Sequence, residues 1–433
     1  MDVILSLGMD VRRGRHVWTR GAGDRLMELI LQFGYGMMAH SRTLLDDWGG
    51  GSVILSPRDL SPDQLTRLSS DVQRLGADSL VDPQFYLPHA DHERLCSHPY
   101  WPGEFEPDHR LVPEEWARLL ASLADLNESL GSSRYVLPGI MADRPDHMDV
   151  WIEQHDTMLT EAQRLGVLDR WPCVLTIAIG ADAAVHSDSC QRIIEWFERW
   201  PIPEAYLVIE HPGGQYLSDN PTWLGNALDL VGGIAVQGKR VTVGYANQQF
   251  LLAACAGASA IASGTWLNVR SFPPEKFRQV LDEEMRQRKT WYYAPQVLSE
   301  FGVPFLDMAA RQGMLDLMRP LPEQQNRFSA ALLASPQPST SNFAESDAFL
   351  HYLWALRAQA TAITKGSFDE TLTAARELLD GAERRIAALS EREIRAQTRE
   401  FGPDVILACR SALVSLESGL GPVLRRKWSQ IVG

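Results

Sequence analysis

Short runs of β-branched and aliphatic residues alternate with segments of helical period, and the alternation is clearest between Ala205 and Ala262. There AYLVIE reads as a buried strand, HPGG as a Gly-rich loop, and the next segment as a helix. KRVTV is a second strand, ANQQFLLAACAG a polar turn with a short helix, and ASAIAS a third strand. Such a unit makes parallel strands. Each strand ends in side chains capable of chemistry: Glu210 and His211, then Gly244, Tyr245 and Asn247, then Ser263, Gly264 and Thr265. The carboxyl ends of parallel strands gather the strand-to-helix loops, and ligands bind there.

The same alternation extends upstream. Val53-Ile54-Leu55, Ser79-Leu80-Val81, Tyr135-Val136-Leu137 and Val174 to Ile179 read as strands, separated by helices over Leu60–Leu75, Pro113–Leu130 and Asp149–Leu165. Ser61 followed by Pro62 is a helix-entry signal. With the three strands near residues 208, 242 and 261, this makes seven strand candidates. The eighth is expected from Val303 to Leu306 or from Val3 to Leu7. Strand–helix alternation over about 260 residues, without an early G-x-G-x-x-G fingerprint, predicts an α/β fold of the (β/α)8 TIM-like barrel kind; an open doubly wound sheet is the alternative. Residues 1–51 read as a lead-in segment, with a helix over Asp24–Asp47, and 52–318 as the barrel. The Pro- and Ser-rich stretch 319–342 reads as a linker, and 343–433 as an all-helical C-terminal region. PPEKFRQVLDEEMRQRK reads as a charged helix. Leu372, Ala375, Leu379, Ala382, Ile386 and Leu389 mark a helix–helix seam, expected to pack on its own chain before serving a dimer or a helical partner.

Composition narrows the class. With 45% hydrophobic and 22% charged residues the chain is an ordinary globular protein, and 41 Lys+Arg against 55 Asp+Glu leave a net charge of -14. That excess opposes wholesale coating of nucleic acid, leaving a local basic surface as the route to tRNA or DNA. Arg12, Arg13, Arg15, His16, Arg20 and Arg25 form one basic run, and Arg425, Arg426 and Lys427 another. Five dispersed cysteines without a CxxC fit a reducing cytoplasm, and no signal peptide or membrane span is expected.

The candidate chemistry begins with Asp82, which closes the second predicted strand in LVDPQFYLP; a carboxylate at such a strand end suits acid–base or nucleophilic work. A long insertion over 83–112 carries His89, Asp91, His92, Glu93 and His98, residue types that ligate zinc or iron, yet at a spacing that matches no metal motif. No metal and no cofactor is therefore expected. Gly213 and Gly214 let backbone N–H groups approach a planar or anionic ligand. Tyr245, Asn247, Ser263, Trp266 and Arg270 gather near the last two strand ends, where barrels often hold phosphate. No P-loop, G-x-S-x-G elbow or H-E-x-x-H is present.

With these residues in view, the chain resembles the tRNA-guanine transglycosylase superfamily, including the relatives that place deazaguanines in DNA. Gly213-Gly214-Gln215-Tyr216-Leu217-Ser218-Asp219-Asn220-Pro221 is similar to that family's GGLSVGEP stretch, and Arg240-Val241-Thr242-Val243-Gly244 to its RYLMGVG strand. Asp82-Pro83-Gln84-Phe85 is similar to DSGGFQ, and Gly139-Ile140-Met141 to GIVQGG. The pattern spans roughly residues 53 to 270. Ala262 and Ser263 stand where the family has its nucleophilic Asp, and its CxCxxC zinc motif is missing. The resemblance implies a barrel enzyme acting on a nucleobase or N-glycosidic bond by base exchange in tRNA or DNA. Asp82 would be its acid/base, Glu210 or Asp219 its second carboxylate, and Gly213 and Gly214 its backbone contacts to the base. Gln84, Tyr86, His211, Tyr245, Asn247, Ser263, Trp266 and Arg270 are the further substrate-binding candidates, with Tyr86 or Trp266 stacking the base. Two readings compete: a metal-dependent hydrolase or lyase using His89, His92, Asp82 and His211, and a catalytically inactive barrel that binds nucleic acid or a protein partner.

Overall fold

The computed structural model describes residues 26–107, 109–278 and 289–433. Its centre is a curled, all-parallel half-barrel built from β1 (Glu28–Gln32), β2 (Ser52–Leu55), β3 (Asp78–Val81), β4 (Tyr135–Leu137), β5 (Met141–Ala142), β6 (Cys173–Ile179), β7 (Glu204–Ile209), β8 (Arg240–Val243) and β9 (Ala260–Ser263). The hydrogen-bonded order is β3-β2-β1-β9-β8-β7-β6-β4, with the two-residue β5 also on β6. The first strand thus lies between the second and the last, with Leu31 opposite both Val53 and Ser263. The path ends at β3 and β4, neighbours in the chain that share no ladder among the described residues. One backbone bond spans that interval, from Met141 N–H to the Tyr86 carbonyl at 2.9 Å.

All seven strand candidates form, because each is a short apolar run bounded by Gly, Pro or polar residues. Among the described residues the eighth strand is β1, not Val303–Leu306. Val303–Leu306 opens the helix Val303–Arg311, where Pro304 suits a first helical turn, and Val3–Leu7 lies outside the described residues, as does the basic run through Arg25. Instead β1 arises inside the stretch read as a helix over Asp24–Asp47. Met27, Leu29, Ile30, Leu31 and Phe33 are all buried, a near-continuous run that a strand and a helix share equally in sequence. Gly34 then lies against Val269, with only 2.9 Å for a Cβ, and the helix starts at Met37. The sheet therefore begins within the stretch read as a lead-in.

The helix Pro62–Arg74 is entered as expected. Ser61 Oγ accepts the Gln64 N–H and Gln64 Oε1 accepts the Ser61 N–H, while Leu65, Leu68 and Val72 turn inward. The helix Pro221–Ala235 is buried at twelve of its fifteen residues, so it needs cover on two sides. Gly233 admits Ile194 of the helix Ser187–Glu198, and Gly232 admits Leu420, next to the helix Pro403–Gly419; a Cβ would stand 2.5 and 2.8 Å from those side chains. The C-terminal helices thus form part of the main core. Leu372, Ala375, Leu379, Ala382, Ile386 and Leu389 are all buried within the chain.

Two further stretches differ from expectation. Residues 319–342 are folded: Asn326 caps the helix Arg327–Ala334, whose Leu332 and Leu333 are buried, and Asp307 accepts the Ser339 N–H at 2.8 Å. A cap and an apolar pair outweigh the Pro-rich composition there. PPEKFRQVLDEEMRQRK supplies one 3-10 turn, Pro274–Phe277, before residues 279–288 leave the described set. Paired prolines at 273 and 274 and a buried Phe277 bind this turn across the carboxyl ends of the strands, where Glu210 and Phe272 form a parallel bridge. Among the described residues, no helix is long and apolar enough to cross a membrane.

Candidate active site

Asp82 follows β3 directly and is fully buried. Its local geometry comes from Asp-Pro-Gln: Asp82 Oδ1 accepts the N–H of Gln84, two residues on, at 2.9 Å. Gln84 has φ of 55°, a left-handed conformation that a non-glycine residue adopts at a cost of roughly 1–3 kcal/mol. Its amide makes the strain useful. Gln84 Oε1 accepts the Arg58 N–H at 2.9 Å, and Nε2 reaches Ser56 Oγ at 2.9 Å and Tyr245 Oη at 3.2 Å. One side chain thereby joins the loops after β2, β3 and β8.

Three phenols converge on the other carboxylate oxygen. Tyr86 donates to Oδ2 at 2.7 Å and Tyr245 at 3.2 Å, while Tyr206 stands at 3.5 Å. Tyr206 has a single proton, and its shorter bond runs to Gln32 Oε1 at 2.9 Å. Gln32 ends β1, and its Nε2 is buried without a hydrogen-bond partner. Tyr206 projects inward from β7 because Gly244 leaves room; a Cβ at 244 would lie 2.4 Å from its ring. Tyr245, like Gln84, holds a positive φ, 51°. Two left-handed non-glycine residues flanking one buried carboxyl mark a site held in place by its surroundings.

Burial raises the Asp82 pKa to about 6, against the hydrogen bonds from Tyr86 and Gln84, the charge of Lys276 and the bond from Tyr245. Desolvation of the charged form is the larger effect. The phenols are pushed well above their usual range by burial and next by the Asp82 charge, so they remain donors. The cluster is covered by Phe272, whose ring lies 4.9 Å from Tyr86 and 5.2 Å from Tyr245, and by Phe277, 5.2 Å from Tyr86. Lys276 lies between these aromatics, its Nζ 4.0 Å from the Tyr245 ring centroid and donating to the Asn268 carbonyl at 2.9 Å. Burial lowers its pKa to about 7.

The outer face of Phe272 looks into a cleft of ≈ 310 Å³, lined also by Glu210, His211, Gly213, Gly214 and Glu275. Glu210 Oε2 accepts the Ala181 N–H at 2.9 Å, and burial raises its pKa. Gly213 and Gly214, both at positive φ, expose their backbone at the mouth. Two layers result: a packed inner cluster around a protonatable carboxyl, and an outer cleft with a second carboxylate and two glycines.

No known protein family matches this chain, and no curated protein matches it either.

The inner cluster gathers Asp82, Gln84, Tyr86 and Tyr245, and the outer cleft Glu210, His211, Gly213 and Gly214. Asp219 is exposed in the loop before the helix Pro221–Ala235. The remaining candidates hold the protein together, and so does the ring of His211 at the edge of the cleft. His211, its pKa lowered by burial to about 4, is a neutral ring whose Nδ1 bonds to the Gln215 carbonyl at 3.0 Å. Asn247 donates to the Tyr216 carbonyl at 2.6 Å and accepts the Gln249 N–H at 2.8 Å. Ser263 closes β9 and is buried, and Trp266 packs on Phe349. Arg270 is buried: Nε donates to the Gly264 carbonyl at 2.8 Å, Nη1 pairs with Glu300 at 3.1 Å, and the guanidinium lies 3.4 Å over the Tyr352 ring. Arg399 holds the other Glu300 oxygen at 2.9 Å. Burial pushes the Glu300 carboxyl up, but the two guanidiniums prevail and keep it below its usual value.

In the His-rich insertion, His98 Nε2 bonds to the carbonyls of Pro57 and Leu60 at 3.0 and 2.9 Å, and His92 caps the short helix Glu93–Cys96. Among the described residues, no group of three His, Cys, Asp or Glu could hold a metal ion.

Three participants escaped the sequence reading. Gln32 sat in the misread helix, Tyr206 looked like any strand aromatic, and Lys276 lay in a run of mixed charge. The one available signal was Gly244, a glycine next to a strand aromatic.

Proposed function

We propose that this chain completes a (β/α)8-type barrel and acts on a nucleobase or an N-glycosidic bond, with Asp82 as the acid/base. One observation carries the reading: a fully buried carboxyl, held by three loops under phenols, whose pKa lies at about 6. A group with that pKa exchanges protons near neutrality, as protonation of a departing base requires. The strand order supports the barrel, since among the described residues the interval without a ladder separates two consecutive strands, β3 and β4. On this reading Glu210, at the outer cleft, is the second carboxylate, and the backbone of Gly213 and Gly214 contacts the base. The partner is tRNA or DNA in the cytoplasm, met through a local basic surface.

The test is exchange of labelled guanine, and of a 7-deazaguanine analogue, into bulk tRNA and duplex DNA by the wild type and Asp82→Asn. Label incorporated by the wild type alone supports the proposal and identifies the polymer. Equal incorporation by both removes Asp82 from the chemistry. The end of β9 in Ala262 and Ser263, without a carboxylate, favours a second reading, a barrel that binds nucleic acid or a protein without turnover. Binding of tRNA or DNA without any exchange selects it.

A further inference from the structure

The acid/base site lacks a nucleophile at the position where the resembling family has one, since β9 ends in Ala262 and Ser263. An amine nevertheless packs beside the Asp82 cluster. Lys276 is buried beside the Asp82 cage, against the ring of Tyr245, whose hydroxyl donates to Asp82 Oδ2. It is carried on a turn anchored at both ends: Arg58 Nε donates to the Lys276 carbonyl at 2.6 Å, and the Phe277 ring is buried against Tyr86 and Phe272. A surface lysine is a solvated cation and a poor nucleophile. One buried away from water, as Lys276 is, is held closer to its reactive neutral form, because desolvation outweighs the pull of the carbonyl and the ring faces toward the ammonium.

We infer that Lys276 is the nucleophile of this site, forming a covalent bond through Nζ to the anomeric carbon of a ribosyl or deoxyribosyl substrate. The inference rests on the N-glycosidic reading proposed above. The neutral amine forms a bond to the anomeric carbon as the carbon–nitrogen bond to the base breaks. The base leaves with that electron pair and takes the proton of the Asp82 carboxyl. The new substituted ammonium returns a proton to the Asp82 carboxylate, regenerating the acid. The resulting glycosylamine opens to an imine as its N–H proton passes to the ring oxygen, and attack by an incoming base reverses the sequence. No oxidant or metal is required. The charged groups facing Nζ are Asp59 and Asp82, which favour the ammonium, and Arg58, which opposes it; burial outweighs all three.

An imine is trapped by hydride. The full-length protein is incubated with guanine-containing tRNA, duplex DNA and an oligonucleotide bearing an abasic site, whose aldehyde carbon is the same anomeric carbon, in the presence of cyanoborohydride. The expected result is a stable protein–nucleic acid adduct mapped by peptide mass to Lys276. On the abasic oligonucleotide, where no base has to be protonated, it forms faster as pH rises through about 7, and on every substrate it is absent from Lys276→Met and Lys276→Arg. Thermal melting of both variants establishes that they are folded, and Arg keeps the cation while removing the nucleophile. Base exchange by the wild type with no adduct, together with exchange retained in Lys276→Arg, overturns the inference and leaves the N-glycosidic reading standing. Adducts scattered over surface lysines overturn it as well. Neither exchange nor adduct on any of the three substrates overturns both.

Discussion

Replacing Asp82 by Asn should make the protein more stable at alkaline pH than the wild type, whatever becomes of the proposed base exchange. The carboxyl titrates at about 6 in the folded chain against a reference of 3.8, so folding favours its protonated form. A raised folded pKa contributes stability that is fully present below 3.8 and is lost as pH rises through about 6. The shift corresponds to roughly 3 kcal/mol at 1.36 kcal/mol per pH unit. Asn has the same shape and can keep the Gln84 N–H bond, but it never ionises. The stability of Asp82→Asn relative to wild type should therefore climb by roughly 3 kcal/mol between pH 4 and pH 8, with a slope of at most about 1.4 kcal/mol per pH unit. Urea unfolding at closely spaced pH values measures it, and the difference between the two curves cancels every other titrating group. Any constant offset, such as about 1 kcal/mol for each neutral hydrogen bond rearranged at Tyr86 and Tyr245, leaves the slope untouched. A difference curve flat to within about 1 kcal/mol would mean that Asp82 titrates as an ordinary carboxylate. The acid/base assignment would then fail on thermodynamic grounds, independently of any substrate.

Tyr86→Phe removes the hydrogen bond that most strongly lowers the Asp82 pKa, so the Asp82 limb of a pH–rate profile for base exchange should move to higher pH. Gly244→Ala drives a Cβ to within 2.4 Å of the Tyr206 ring; overpacking of this kind costs about 1–3 kcal/mol and should appear as a lowered urea midpoint with unchanged m. Arg270→Met leaves Glu300 buried with only Arg399 to neutralise it, a loss of about 3–5 kcal/mol measurable by the same unfolding assay.

The strands were legible wherever a short apolar run met a clear stop, as Val53-Ile54-Leu55 does before Ser56 and Pro57, and helix entry was legible at Ser61-Pro62. Legibility failed where two periods share the same residues. Met27 to Phe33 offers apolar side chains to either geometry, and pairing with β2 and β9, more than two hundred residues apart in sequence, selects the strand. Composition also misled at 319–342, where the Asn326 cap and the Leu332–Leu333 pair make a helix inside a Pro-rich stretch. At the site, Asp82 was readable from its place after a strand. The burial that sets its proton affinity depends on Tyr206, Phe272 and Lys276, brought together only by the curl of the sheet. Arg270 illustrates the converse: an arginine near a phosphate-binding position in sequence is committed to Glu300, which comes from a hairpin of Trp291–Ala294 and Ser299–Gly302.

The position of β1 also governs how this protein is made. A ribosome releases β1 early, yet one of its two sheet neighbours, β9, emerges more than two hundred residues later, and the Met27 N–H waits longer still for Thr364 Oγ1, 3.3 Å away in the finished chain. The apolar helix Pro221–Ala235 likewise stays uncovered on one side until Pro403–Gly419 leaves the exit tunnel. Vectorial synthesis therefore cannot bank a finished domain as it proceeds. The nascent chain carries an unsaturated strand edge until β9 emerges and an apolar helix until Pro403–Gly419 does, a long exposure of sticky surface. Synthesis halted before Pro403–Gly419 would leave behind an aggregation-prone fragment rather than a smaller working protein.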